Sequence, residues 1–252
     1  MKRYVEHVMN MPVSLALRGR HTDDRRARAA WAAVMADLRA ADRVFSTYRP
    51  DSHISRLNRG ELTPAECPPE VTQVLALGHE AEHDSDGAFS IHRPGPDGHR
   101  TLDPSGVVKG WAADRAARHL RALPDTDYCL NTGGDLICRT LDPHTRPWHI
   151  GIEHPHNPQA VIAVVPIHDG AVATSGATHR GNHITDARTG RTPTAIASVT
   201  VVGATLTHTD IDATAAYANG PKATAWLRTR PIHAALLVWQ NGTTTLIPEP
   251  SA

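Results

Sequence analysis

The chain has 252 residues, enough for one large domain or two small ones around a sizeable hydrophobic core. Its 26 Lys and Arg balance its 26 Asp and Glu, which argues against a protein that holds DNA or RNA by bulk charge. The 17 histidines outnumber the 2 Phe, 4 Tyr and 5 Trp together, so the net charge turns positive below neutrality. Cys67, Cys129 and Cys138 are odd in number and fit no zinc spacing; they read as buried or incidental thiols, not as a disulfide framework. No stretch approaches the ~20 consecutive apolar residues of a membrane helix. Glu6 and His7 fall where the apolar part of a secretory leader would lie, so a cytoplasmic protein with no membrane span is expected.

Taken in chain order, residues 11–19 alternate Val13, Leu15 and Leu17 with smaller or polar residues, the pattern of a half-buried strand. From Thr22 to Phe45, Ala27, Trp31, Val34, Met35, Leu38 and Ala41 recur at helical spacing behind Asp23 and Asp24. Further helices are predicted over Pro69–Asp84 and Val107–Leu120, the latter with basic residues at its C-terminal end. The segment His92–Arg100 reads as a surface loop. Later come strand-like runs (CLNTGGDLICR, WHIGIEH, AVIAVVPIH, GAVATS, ASVTVVG, HAALLVWQ and TTTLIPE), interrupted by helical segments near 209–219 and 221–229. With no regular βαβα rhythm, the order favours an α+β domain.

Four patches carry chemistry-bearing residues. In LDPSGVVKGWAADRAARHL, Pro104, Ser105 and Gly106 precede a helix bearing Lys109, so backbone amides and a cation can converge on an anion, although no Walker A spacing is present. Taken alone, a helix-entry turn with a solvated lysine is the better reading of this patch. NTGGDL, at 131–136, reads first as a hairpin turn at Gly133-Gly134. The polar stretch 174–193 holds His179, His183 and Asp186; His183 and Asp186 can transfer protons or bind metal if the loop curls inward. In THTDIDATAAYANG, Asp210 and Thr214 are i and i+4, so one helix face presents both oxygens to a hard cation such as Mg²⁺. The competing reading makes Asp210 a helix cap, and Asp212 is expected to serve the helix N-terminus.

In order and wording, VMNMPVSLAL, FSTYRPDSHISRLN, DGAFS, LDPSGVVKGWAADRA, NTGGDL, ATSGATHRGNHITDARTG and VTVVG…TDIDATA resemble the ApbE family, the FAD:protein FMN transferases. The resemblance covers nearly the whole chain and implies a single ApbE-like (T-fold-like) domain over residues 1–252, with mixed or antiparallel sheets and packed helices. It implies Mg²⁺-dependent transfer of FMN from FAD to a Thr or Ser hydroxyl of a target protein, with release of AMP; the target would bear an S/T-G-A-T/S-like segment. By the same resemblance Met9, Tyr48, Ala88, Phe89, Ser90, Asp103, Lys109 and Ile184 would line the FAD site. Asp210, Thr214 and the main-chain carbonyl of Gly106 would hold the metal, and His183 would deprotonate or orient the attacking hydroxyl.

The chain departs from the family pattern in places. Asn10 and Met11 replace Gly-Thr after Met9, Ser90 replaces the frequent Asp of G-A-F-D, and Ala177 stands where many members carry Asp. The last change removes a hydrogen-bonding partner from the loop of His183. Ser175-Gly176-Ala177-Thr178 matches the acceptor-like S-G-A-T, which raises self-flavinylation at Thr178, but the same residues already belong to the family's own T-S-G motif. An FAD pyrophosphatase giving FMN and AMP, and a non-catalytic FAD-binding protein, are the alternatives. His79, His92, His119 and His154, outside the matched motifs, are expected to be solvated.

Overall fold

A computed structural model describes residues 1–94, 99–178, 181 and 183–248. In chain order, strands β1 (Lys2–Val8) and β2 (Met11–Gly19) lead into helices α1 (Arg25–Phe45), α2 (His53–Asn58) and α3 (Pro69–Asp84). Short strands β3 (His92–Pro94) and β4 (Arg100–Leu102) precede α4 (Ser105–Arg121), followed by β5 (Thr126–Thr132) and β6 (Asp135–Arg139). Then come β7 (Trp148–His154), β8 (Asn157–Ile167), β9 (Asp169–Gly176) and β10 (Ile196–Gly203). Helices α5 (Leu206–Asn219) and α6 (Ala223–Leu227) and strands β11 (Ala234–Trp239) and β12 (Thr244–Ile247) complete the order.

Eight strands form one sheet in the order β1-β2-β5-β6-β9-β10-β11-β12, every neighbouring pair antiparallel. The α+β class is as expected, and the sheets are antiparallel where mixed pairing was also admitted. One face carries the main core: Val13, Leu15, Leu17, Leu130, Ile137, Val199 and Val201 pack with α1, α4 and α5. The other face is covered by the separate β7–β8 hairpin, whose Trp148, Ile150, Ile152 and Ile167 meet Cys138, Val172 and Val202. Two covered faces explain why β10 is buried along its whole length.

Local chemistry sets the boundaries. Asp24 caps α1 by accepting the Ala27 N–H at 2.9 Å, which is worth about 1 kcal/mol, so the helix begins three residues after the Thr22 read from the pattern. The β1–β2 turn places Met9 and Asn10 at φ 54° and 55°, the two-residue hairpin geometry. Asparagine tolerates that region and methionine does so with strain, so Met9 belongs to a turn and not to the strand. At His92–Arg100 the expected loop is instead flanked by the paired strands β3 and β4, while residues 95–98 lie outside the described residues. Asn58 at the end of α2 pins that hairpin, donating to Leu102 O at 2.9 Å and accepting from Leu102 N at 2.7 Å.

Helix α5 is buried on nearly all sides, and several of its polar groups find partners on other elements. Asp114 of α4 accepts from Leu206 N, Thr207 N and the Thr207 hydroxyl at 3.1, 2.7 and 2.6 Å. This corrects both cap expectations: Asp114 serves the start of α5, whereas Asp210 and Asp212 lie inside the helix. Asp212 receives Arg230 Nε at 3.0 Å, and the same guanidinium reaches Asp84 at 2.6 Å. Burial nevertheless pushes the Asp212 carboxyl above its ordinary range.

Where α4 crosses α5, Gly110 is the contact; a Cβ there would lie 2.6 Å from Leu206 O and 2.9 Å from Thr207 Cα. Gly110→Ala must therefore push the two helix backbones apart, and urea unfolding should show a loss of about 1–3 kcal/mol. A variant as stable as the parent would contradict this close crossing.

Candidate active site

The ends of β5, β6 and β9, the first turns of α4 and the middle of α5 enclose a cavity of about 930 Å³, with β7 as its opposite wall. At its floor the Lys109 ammonium touches Asp135 Oδ2 and lies 3.3 Å from Asp210 Oδ1. Both carboxylates are buried, at 2 % and 4 % exposure. Asp135 also accepts the Thr174 N–H at 2.9 Å, which fixes its orientation on the sheet. One turn beyond Asp210, the Thr214 hydroxyl is 3.0 Å from the Ser175 hydroxyl. Two buried carboxylates, two hydroxyls and one ammonium thus meet on the floor.

Gly106 opens α4 without a side chain, and this admits the Phe89 ring: a Cβ there would lie 2.9 Å from Phe89 Cε2. Asp103 accepts the Ser105 N–H at 3.1 Å and pairs with Arg93 Nε at 2.7 Å. Ser90 accepts the His92 N–H at 3.1 Å and Arg100 Nη2 at 3.2 Å, so its hydroxyl is occupied within the hairpin beside the cavity. The Ala187 N–H donates to Ala88 O at 3.0 Å and ties the 183–191 segment to the 88–90 turn.

His183 is exposed and lines the cavity. Its Nδ1 lies 3.0 Å from Gly181 O. A carbonyl oxygen only accepts, so Nδ1 carries the proton, and in the neutral ring Nε2 keeps a lone pair for a proton. With Ala177 in place of an acid, the loop is closed by its main chain, Gly181 N donating to Ala177 O at 2.9 Å. His179 lies outside the described residues. Asp186 does not pair with His183. Its carboxylate is held by Arg188 Nε and Nη2 at 2.8 and 2.9 Å and by the Arg188 N–H, which keep it below the ordinary carboxylate range.

Ala88, Phe89, Ser90, Asp103, Gly106, Lys109, His183, Ile184, Asp210 and Thr214 all line this one cavity. Met9 and Tyr48 are not among the lining residues: Met9 packs against the main core from its turn, and Tyr48 is 85 % exposed between α1 and α2. Asp135 and Ser175 were missed as site residues. NTGGDL does form the predicted turn, with Gly133 and Gly134 at φ 64° and 105°, which hid the aspartate closing it. Strand alternation is the signal that finds it, since Asp135 shares the inward face of Ile137.

Two histidines expected to be solvated are not. His92 lines the cavity and stacks on His79 at 5.8 Å; burial and then Arg100 push its pKa down. His119 Nε2 bonds Asp37 at 3.0 Å. Among the described residues no three His, Cys, Asp or Glu side chains gather into a metal site.

The sequence profile of the ApbE family matches residues 9–93 and 95–237, and the chain belongs to that family. The FAD:protein FMN transferase of Klebsiella pneumoniae (strain 342) is 26 % identical over 246 residues, covering 75 % of this chain and 70 % of that protein. Among solved structures, the apo flavinyl transferase ApbE of Pseudomonas stutzeri superposes with a TM-score of 0.81 at 24 % identity, covering 97 % of this chain and 94 % of the other. The flavin transferase ApbE of Vibrio cholerae gives 0.80 at 20 % identity, with 98 % and 96 % covered. At these identities the structures establish a shared fold.

The Asp186–Arg188 clasp titrates with a definite sign. The folded carboxyl lies below its unfolded value, so its contribution is present above the ordinary Asp range near ~4 and is lost as pH falls through the depressed value. Protection factors of amides 186–191, corrected for the intrinsic exchange rate at each pH, should therefore hold at neutral pH and fall only in acid. Arg188→Ala should move that onset to higher pH, and an unmoved onset would dismiss the clasp.

Proposed function

We propose that this chain is a Mg²⁺-dependent FAD:protein FMN transferase, residues 1–252 working as one domain. It moves FMN from FAD to a Thr or Ser hydroxyl of a target protein and releases AMP. The observation that carries the reading is Lys109 held between buried Asp135 and Asp210, with the Thr214 hydroxyl beside them, on the floor of a cavity large enough for a dinucleotide. The names of the relatives support the same reaction.

The donor set fits a hard cation: Asp210, Thr214 and the Gly106 carbonyl are all oxygen donors lining one cavity floor. Bound there, Mg²⁺ would neutralise phosphate oxygens and sharpen the electrophilic phosphorus. The chain's own residues do the rest. Lys109 adds a fixed cation to a charge-rich phosphoryl transition state, and the wall of β7 keeps bulk water from the floor. His183 takes the hydroxyl proton on Nε2, its ring oriented by Gly181 O. The acceptor oxygen then bonds to the FMN-side phosphorus as the bridging P–O bond breaks toward AMP. Exposure of His183 at the rim suits a protein-borne hydroxyl, which must reach the phosphorus from outside.

Incubation with FAD, Mg²⁺ and a target domain bearing an S-G-A-T segment tests the proposal. AMP together with covalently labelled target is expected; AMP with free FMN alone would mark a pyrophosphatase, and no AMP would sink both enzyme readings. Asp210→Ala should abolish Mg²⁺-dependent turnover in a folded protein. His183→Ala should slow turnover about 10²–10⁴-fold while leaving FAD affinity nearly unchanged, and an equal loss in both would make His183 a binding residue.

A further inference from the structure

Strands β5 and β6 hold two of the three cysteines directly opposite each other. Cys138 Sγ donates to Cys129 Sγ at 3.3 Å. Alternation turns Tyr128 and Leu130 toward the helices and both cysteines toward the β7–β8 layer. There Cys138 is buried among Trp148, Ile150 and Val172, while Cys129 is half-buried beside them. Asn131 and Leu136, next along the same face, line the cavity. Cys67 is elsewhere, before α3, with its Sγ 3.5 Å from Thr63 O.

Directly opposed antiparallel residues place their Cβ atoms about 4.5–5.5 Å apart, close to the ~3.5–4.5 Å that a disulfide needs. Closing the bond thus takes side-chain rotation and a small approach of two strands already in register. We propose that Cys129 and Cys138 are a redox modification site, converted reversibly into an intramolecular disulfide by a peroxide.

The half-buried Cys129 reacts first: its thiolate attacks one peroxide oxygen, the O–O bond breaks, and water leaves a sulfenic acid. The Cys138 sulfur displaces the sulfenic hydroxyl, the S–S bond forms, and that hydroxyl departs as a second water with the Cys138 proton. Two thiols are oxidised by two electrons in total and one peroxide is reduced to two waters. Its hydrogen bond to Cys129, and then burial, push the Cys138 thiol far up, so the more accessible Cys129 and not Cys138 is the thiol that meets the peroxide.

The test treats the full-length protein at low concentration with hydrogen peroxide, then unfolds and alkylates it without reductant and maps the peptides by mass. The expected product is a monomer lighter by two hydrogen atoms, with Cys129 and Cys138 cross-linked, Cys67 alone alkylated, and all three thiols recovered after dithiothreitol. Cys138→Ser should instead leave Cys129 as a sulfenic acid trapped by dimedone. Free Cys129 and Cys138 after treatment, a bond involving Cys67, an intermolecular cross-link, or sulfinic acid at Cys129 in the parent would each overturn the proposal.

Discussion

One half-buried cation between two buried carboxylates joins the layers of this protein. Lys109 projects from α4 to Asp135 on the sheet and to Asp210 on α5, so a single ammonium fixes the three elements that form the cavity floor. Separating charges from water costs several kcal/mol per ion, and mutual attraction offsets that cost only when the geometry is held closely. The close crossing at Gly110 and the Asp114 cap, both at Leu206 and Thr207 of α5, supply that geometry. The charged floor therefore depends on the apolar packing around it.

The sheet covered on both faces makes the site possible. Helices supply the charged floor from one side, and the β7–β8 hairpin supplies a wall from the other, so the cavity lies where the two layers meet at the strand ends. Turns gather there as well: Gly133 donates to Pro12 O at 3.0 Å, bringing the β1–β2 and β5–β6 ends of the sheet together. The 183–191 segment comes to the same place through the main-chain bond from Ala187 to Ala88, while the Asp186–Arg188 clasp holds its own turn. Much of the cavity mouth thus sits on loops while the charged groups sit on rigid elements, a division that suits the proposed phosphoryl chemistry.

Long amphipathic or alternating segments were legible in the sequence because their burial period is regular. The pattern locates β2 and α3 at their observed ends and α1 to within three residues. What escaped has physical reasons. Strand β1 is an edge with Lys2, Arg3, Val5 and His7 outward, so it shows little apolar pattern. Helix α2 is six residues long, too short for a period to appear. Asp210 and Thr214 were legible as a pair on one helical face, whereas the union of Lys109, Asp135 and Asp210 is set by tertiary packing between distant segments. His92 and His119 show the same limit, since their partners come from other elements.

The buried charge cluster is most directly tested by a double-mutant cycle on unfolding free energy with Lys109→Met, Asp135→Asn and the pair. Removing the ammonium alone takes its cation from two buried carboxylates and should cost about 3–5 kcal/mol. Neutralising Asp135 in that background should recover some of the loss, so the double variant is more stable than the sum of the single losses by about 1 kcal/mol or more. Losses that add to within ~0.5 kcal/mol, or a Lys109→Met protein as stable as the parent, would contradict the claim that this ion cluster holds the layers together.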